Sequence, residues 1–257
     1  MPRILVTNDD GISAPGIQAL EAALRAVGEV YTVAPLYEQS ASSRRITLRK
    51  PFRYETAGKN RYAVDGSPAD CAMMALTLLL GFKPDLVVSG INNGPNLGEN
   101  VYYSGTVAGA AEGAKYGIPA IAMSVNQRVD IDYGPAADFA ARLARQALAD
   151  GLEPGIVLNV NVPHPTYTGV EITHQSKKIS RNLMIETRDP YDRSYYWMHE
   201  EVPLETAEAG SDYAAVRDGK VSITPLHFDH TAWDHLESLR SLENHSWGDA
   251  LEPVPAP

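Results

Sequence analysis

The chain has 257 residues, 44% hydrophobic and 21% charged, a composition typical of a globular protein with a sizeable core. Its formal net charge of −10 argues against a general nucleic-acid-binding protein, but leaves room for a small anionic substrate beside a bound cation. Cys71 is the only cysteine, which excludes an intrachain disulfide. Because the chain shows no leader pattern and no apolar run long enough to span a bilayer, we expect a cytoplasmic protein that does not insert into membranes.

Short apolar segments alternate with helical patterns through residues 1–163. The strand-like segments are RILVTN, VYTVAP, DLVVSG, AIAMSV and GIVLNVNVP. The helical segments are APGIQALEAALRAVG, SPADCAMMALTLLLG with Ser67 at its start, SGTVAGAAEGAKYG and GPAADFAARLARQALADG. Apolar strands that do not alternate and are separated by helices indicate a parallel sheet covered on both faces. The sequence therefore predicts an α/β fold with a doubly wound, mostly parallel sheet; an antiparallel α+β fold is the alternative.

The pattern changes in residues 164–257. The segments YYWMHEEV and GKVSITPL are strand-like, KKISRNLMIETRDPYDRS is polar and rich in turn residues, and TAWDHLESLRS could form a short terminal helix. We predict an extended β-hairpin or arm, a returning strand and a disordered end, EPVPAP. An exposed aromatic arm usually finds a partner, often another copy of the chain, so we expect a homo-oligomer.

Polar residues follow three of the predicted strands, in VTNDDG, VAPLYEQSASS and VVSGINNGPNLG. The carboxyl ends of parallel strands meet at one edge of the sheet, where ligands bind. Asp9 or Asp10 could simply cap the next helix. Two adjacent carboxylates with Ser40 and with Asn92 or Asn93 could instead form an all-oxygen site for Mg²⁺ or Mn²⁺.

Two further segments have alternative interpretations. Ser104, Gly105 and Thr106 stand where a helix should begin, so they form either an anion site or an ordinary Ser/Thr cap. The glycines of SGINNGPNLG serve either tight turns with positive φ or the close approach of a ligand. A metal site beside an anion site favours phosphoryl chemistry, in which a metal-activated water attacks the phosphate.

Two other functions stay open at this point. Asp9 or Asp10 could act as a nucleophile and form an aspartyl-phosphate. A nucleotide-sensing module without catalysis could use the same pocket. The sequence identifies no separate general base or acid.

Three other features have a functional alternative but favour a structural one. A zinc site could form from the residues His227, Asp229, His230, Asp234 and His235, although surface tails collect such residues by chance. Arg44 and Arg45 could bind a phosphate, but exposed charge is the simpler interpretation. Cys71 follows a helix start, where the pKa of a thiol can fall, yet a small buried residue fits as well.

Six motifs, taken together and in order, resemble those of the SurE family, the stationary-phase survival proteins that act as nucleotide phosphatases. The matching segments are ILVTNDDGISAPGI, TVAPLYEQSAS, GSPADC, VSGINNGPNLG, YSGTVAGAAEG and VSITPLH, which run from Ile4 to His227. Ser67 stands where many members have Thr, a change of little consequence.

The resemblance implies that the protein is an enzyme, a 5′-nucleotidase, with a site assigned residue by residue. One divalent cation per subunit, Mg²⁺ or Mn²⁺, would be held by Asp9, Asp10, Ser40 and Asn92, and the two aspartates would also be catalytic. The phosphate pocket would consist of Asn96, Ser104, Gly105 and Thr106. The implied substrates are nucleoside 5′- or 3′-monophosphates, with polyphosphate for some members.

The resemblance also implies an architecture. Residues 1–163 would form a Rossmann-like catalytic core. Residues 164–257 would supply arms exchanged between subunits of a homodimer or homotetramer. Base preference, the preferred ester position and the choice between dimer and tetramer stay open.

Overall fold

A computed structural model of the chain describes residues 1–177, 181–201 and 207–244. It divides into a large unit, Met1–His227, and a small one that begins at Phe228. Within the described ranges, no helix is both long enough and apolar enough to cross a membrane.

The described residues form eleven strands. They are β1 (Arg3–Thr7), β2 (Glu29–Pro35), β3 (Tyr54–Gly58), β4 (Arg61–Val64), β5 (Leu86–Asn93), β6 (Ala120–Asn126), β7 (Val157–Pro163), β8 (Gly169–Ile172), β9 (Arg181–Arg188), β10 (Ser194–Glu201) and β11 (Lys220–Leu226). Nine of them form one sheet in the order β3-β4-β2-β1-β5-β6-β7-β11-β8. Only the β3–β4 and β7–β11 pairs of this sheet are antiparallel, so the predicted mostly parallel α/β sheet is confirmed.

Six α-helices occur in the same ranges. They are α1 (Pro15–Leu24), α2 (Pro68–Met74), α3 (Gly105–Lys115), α4 (Gly134–Asp150), α5 (Asp212–Arg217) and α6 (Leu236–Leu239). α1 packs on α4, and α2 packs on α3, which covers both faces of the sheet as predicted. The predicted cap at Ser67 is confirmed: its hydroxyl accepts from Asp70 N–H, and the Asp70 carboxylate accepts from Ser67 N–H at 2.9 Å. A π-helical turn, Ala75–Leu79, continues α2.

The second half of the chain contains both predicted and unpredicted elements. GKVSITPL forms β11, which lies in the main sheet between β7 and β8, so the sheet continues past Pro163. The predicted hairpin consists of β9 and β10, and β9 lies within the stretch interpreted as polar and turn-rich. The edge hairpin β3–β4, strand β8 and helix α5 were not predicted. The segment EPVPAP lies outside the described residues.

A buried carboxylate links α1 to two strands of the sheet. Glu21 of α1 is 4% exposed and accepts hydrogen bonds from Thr32 Oγ1 of β2 and from Arg61 Nε of β4, each at 2.8 Å. Arg61 also donates to the carbonyl of Ile12 at 2.9 Å. Because an ionised carboxylate is costly to bury without partners, these bonds fix α1 and strand β4, which lies between β3 and β2, against each other.

Replacing Arg61 by Met should lower the free energy of unfolding by about 2–3 kcal/mol, because the charge of Glu21 would stay buried without its main partner. The matched control is Arg25→Met, which removes another cation that pairs with Glu21 but whose side chain is 60% exposed; it should cost about 1 kcal/mol or less. Urea unfolding of both variants measures the difference. Equal losses would contradict a dominant role for Arg61.

Candidate active site

The candidate site lies where the strand order reverses. β1 has β2 on one side and β5 on the other, and open α/β sheets bind ligands at the carboxyl ends of such strands. A cleft of about 210 Å³ opens there. Six residues named as candidates from the sequence line it: Asp9, Ser40, Asn92, Asn93, Asn96 and Ser104. Sequence reasoning missed the five other described lining residues, of which Asn100, Tyr103 and Arg128 are polar.

Asp9 is buried against the N-terminus of α3. Its carboxylate accepts a short hydrogen bond from the Thr106 hydroxyl, and it is only 4% exposed. A Cβ on Gly105 would lie 2.8 Å from Asp9 Cβ, so glycine is needed for this close approach. The pKa of Asp9 is raised to about 6: burial raises it most, the hydrogen bond from Thr106 lowers it, and the charge of Asp10 raises it.

The alternative that Asp9 or Asp10 caps the following helix is wrong. The N-cap residue of α1 is Ala14, which makes no side-chain cap hydrogen bond. Asp9 instead contacts the first turn of α3, which is distant in sequence. Its negative charge is favourable there because the first N–H groups of a helix have no acceptor within the helix and because the helix dipole is positive at this end.

Asp10 connects the ends of β1 and β5. Its carboxylate accepts the backbone N–H of Asn93 at 3.1 Å. Burial raises the pKa of Asp10, the bond from Asn93 lowers it, and the nearby charge of Glu38 raises it again. Both aspartates therefore carry a desolvated negative charge that a cation would stabilise.

Ser40 and Asn92 bring further oxygen atoms to the same edge. The backbone N–H of Gln39 donates to the carbonyl of Asp9 at 2.7 Å and so fixes the segment that carries Ser40. The Ser40 hydroxyl donates to Glu38 at 2.7 Å, and Asn92 Nδ2 donates to the carbonyl of Gly94 at 2.7 Å. These bonds use the hydrogens, so Ser40 Oγ and Asn92 Oδ1 keep acceptor lone pairs.

Asn96 is held by a buried polar cluster that the sequence analysis did not identify. Its backbone N–H donates to Asn161 Oδ1 at 2.8 Å, and its carbonyl accepts from Asn159 Nδ2 at 2.9 Å and Asn161 Nδ2 at 3.1 Å. Its own Nδ2 donates to Ser124 Oγ at 2.9 Å. Asn159 and Asn161 alternate within β7, and this spacing of polar residues in an apolar strand was the available signal.

The start of α3 serves both as a cap and as part of the cleft. Ser104 is the N-cap residue: its Oγ accepts the Val107 N–H at 3.1 Å, so the cap interpretation is confirmed. Its hydroxyl proton is still available to a ligand. The Thr106 hydroxyl is fully buried and donates its hydrogen bond to Asp9 instead. Ser42 Oγ, 2.8 Å from where a Gly105 Cβ would lie, is buried without a hydrogen-bond partner in the described residues.

For the histidine cluster and for Cys71, the structure favours the structural interpretation over the functional one. Across the described ranges, no group of three or more His, Cys, Asp or Glu residues could hold a metal, so zinc at His227, His230 and His235 finds no support. Cys71 is fully buried, and burial raises the pKa of its thiol well above the usual value, which leaves it unreactive.

The arginines and glycines singled out from the sequence also have structural roles. Arg44 and Arg45 do not line the cleft, and Arg45 donates to Gln39 at 2.6 Å. The three glycines at positions 90, 94 and 98 all have positive φ, as the turn interpretation requires.

Asp9→Asn should stabilise the folded protein when no divalent cation is present. Because the folded pKa of Asp9 is about 6 against 3.8 in the unfolded chain, folded protein binds more protons between these values, and stability falls as the pH rises through this window. The full effect is about 3 kcal/mol at 1.36 kcal/mol per pKa unit. Thermal unfolding in EDTA should therefore show a larger gain for Asp9→Asn at pH 7 than at pH 4.

The exposed carboxylate Asp138 supplies the control, since Asp138→Asn should show no comparable pH-dependent gain. An equal gain at both pH values would contradict the assignment of a desolvated charge to Asp9.

The family model "Survival protein SurE" matches residues 4–182. The chain is 46% identical to a protein named 5′-nucleotidase SurE from Geotalea uraniireducens, covering 93% of this chain and 98% of that one. It is 47% identical to 5′-nucleotidase SurE 1 from Thermus thermophilus, covering 93% and 97% of the two chains. The crystal structure of the SurE protein from Aquifex aeolicus is similar with a TM-score of 0.86 at 40% identity, covering 94% of this chain and all of that one. This chain therefore belongs to the SurE family.

Proposed function

We propose that this protein is a phosphoric monoester hydrolase that converts nucleoside 5′-monophosphates, and also 3′-monophosphates, to nucleoside and phosphate. Membership of the SurE family, with relatives named 5′-nucleotidase at 44–47% identity, supports the nucleotidase activity. The observation that carries the proposal is that Asp9, Ser40, Asn92, Asn96 and Ser104 line the same cleft. These groups recognise a cation and a phosphate, not the position of the ester, which supports activity on both monophosphates.

One divalent cation per subunit, Mg²⁺ or Mn²⁺, fits the donor set of the cleft. Asp9 and Asp10 would provide carboxylate oxygens, Ser40 a hydroxyl oxygen and Asn92 an amide oxygen, all hard ligands of the kind these cations prefer. The raised pKa values of the two aspartates support this assignment, because the burial that raises them leaves charge for a cation to neutralise. When bound, the cation supplies Lewis acidity to the phosphoryl group and to an attacking water.

The protein side chains would bind and orient the phosphate. Ser104 can donate its hydroxyl proton to a phosphate oxygen while its Oγ continues to cap α3. Asn96, fixed through its backbone by Asn159 and Asn161, presents its side chain to the cleft without having to be ordered on binding. Donors that are already positioned stabilise the charge of the transferring phosphoryl group at little reorganisation cost.

Thr106 would act through Asp9. Its hydroxyl donates to Asp9, which fixes the orientation of the carboxylate as a cation ligand. This engagement supports a role for Asp9 in holding the cation rather than in attacking the phosphate. Gly105 permits the contact because a side chain at that position would collide with Asp9.

We also propose that the hairpin of β9 and β10 assembles subunits into a homodimer or homotetramer, and that residues 1–163 carry the catalytic site. Of the residues that the structure describes, those that line the cleft all precede Pro163. Within the described residues, the two strands of the hairpin pair only with each other. Met184, Tyr196, Trp197 and Met198 are each at least 65% exposed. A two-stranded ribbon with apolar side chains in water is marginal alone, which supports burial against another subunit.

Removal of divalent cations should abolish phosphate release from nucleoside monophosphates, and Mn²⁺ or Mg²⁺ should restore it. Asp10→Asn should lose most of the activity because it removes one cation ligand, whereas Asp138→Asn should keep it. The measurement is phosphate release from a panel of 5′- and 3′-nucleotides, with and without EDTA. The cation should also raise the melting temperature of the wild type more than that of Asp10→Asn.

The possible failures of this experiment are distinct. Full activity in EDTA would contradict the proposed dependence on a divalent cation but would leave the proposed hydrolase activity standing. No phosphate release from any nucleotide with either cation would overturn the function itself.

Charged side chains on the hairpin should separate the subunits. Ile185 and Trp197 are cross-strand partners, 46% and 65% exposed, and the double substitution Ile185→Lys with Trp197→Lys should place two charges in the proposed interface. Light scattering should then give the 27.9 kDa mass of a monomer instead of a multiple of it. The control Leu48→Lys changes an apolar side chain that is 79% exposed outside the hairpin and should leave the mass unchanged. A monomeric wild type would contradict the assembly.

A further inference from the structure

The cleft is lined by a positively charged side chain, Arg128, to which none of the assignments above gives a role. Arg128 follows the end of β6 and lines the same cleft as Asp9, Asn92 and Ser104. Asp9 and Arg128 are the two lining residues with formally charged side chains. Within the described part of the chain, Arg128 makes no hydrogen bond or ion pair, so its five N–H donors are available.

The guanidinium of Arg128 lies against the loop after β5. A Cβ at Gly94 would lie 3.1 Å from Arg128 Cζ and 3.2 Å from Nη1, so the guanidinium packs directly over the backbone of this glycine. Gly94 has a φ of +111° and accepts the hydrogen bond from Asn92 at its carbonyl. The loop that orients Asn92 therefore also supports Arg128 at the wall of the cleft.

The charges around the cleft show why such a group is needed. Asp9 is buried, the adjacent Asp10 is partly buried, Glu38 adds its charge beside Asp10, and the whole chain carries −10. A divalent cation would offset two of these carboxylates, and a phosphate monoester dianion would still enter a field with no net positive charge. An arginine offers a positive charge and a planar pair of donors that matches two phosphate oxygens.

We propose that Arg128 binds the phosphate group of the substrate and sets the affinity for it. The proposal rests on the proposed function. It adds a residue that the family resemblance did not assign, and it explains why an exposed arginine that forms no hydrogen bond or ion pair with the described residues lies over Gly94. Because the contact forms when the substrate binds, its loss should appear mainly in KM.

The test compares Arg128→Gln and Arg128→Lys with a matched control, Arg53→Gln. Arg53 is 79% exposed, pairs with exposed Glu55, does not line the cleft and loses the same charge on substitution. Arg128→Gln should raise KM for a nucleoside monophosphate about tenfold and leave kcat within about twofold. Arg128→Lys should fall between it and the wild type, because it keeps the charge without the planar donor pair.

Inorganic phosphate gives a readout that does not depend on turnover. In Mn²⁺, it should raise the melting temperature of the wild type and of Arg53→Gln, and raise that of Arg128→Gln much less. All variants should melt alike without phosphate, since Arg128 makes no hydrogen bond or ion pair with the described residues that a substitution would remove. If the wild type hydrolyses no nucleotide, the proposed function fails, and the phosphate shift still tests Arg128.

Two outcomes would overturn the role of Arg128. One is an active Arg128→Gln enzyme whose KM, and whose rise in melting temperature with phosphate, are both within twofold of those of Arg53→Gln. The other is a loss of kcat with unchanged KM and an unchanged phosphate shift, which would separate Arg128 from phosphate binding.

Discussion

The burial of the Asp9 carboxylate at the start of α3 is the constraint on which the rest of the site depends. An ionised group that is 4% exposed needs partners, and Thr106 supplies one from the first turn of a helix almost a hundred residues away. Gly105 allows this contact because any side chain there would overlap Asp9. The position of α3 on the sheet is therefore tied to the end of β1, and Ser104 is brought to the cleft as a consequence.

A second buried carboxylate fixes the loop that carries Asn96. Asp212, at the start of α5, is fully buried and accepts hydrogen bonds from Ser176 and, at 2.9 Å, from the backbone N–H of Gly98. Gln175 donates to the carbonyl of Gly98 at 2.7 Å. The loop that carries Asn96 is thus held from one side by β7 and from the other by residues beyond Pro163. The C-terminal part of the large unit contributes to the site by positioning this loop, although none of its described residues lines the cleft.

The sequence allowed most of the parallel sheet to be predicted, because its signals are local. The apolar strands β1, β5 and β6 and the capping box of Ser67 and Asp70 depend on neighbouring residues alone. The edge strand β3 was missed because all five of its residues are exposed and it carries no apolar pattern. Helix α5 was missed because its six residues give less than two turns of periodicity.

The parts of the site that could not be predicted are those set by contacts between distant segments. Local rules predict that Asp9 caps α1. In the fold, the Asp9 carboxylate instead accepts a hydrogen bond from the first turn of α3. Sequence spacing likewise suggested that the Thr106 hydroxyl points at a phosphate, but it is turned toward Asp9. The direct phosphate contacts of the side chains in our proposal therefore come from Ser104, Asn96 and Arg128. These three residues follow different strands or begin a helix, and only the order of the parallel sheet brings them to one edge.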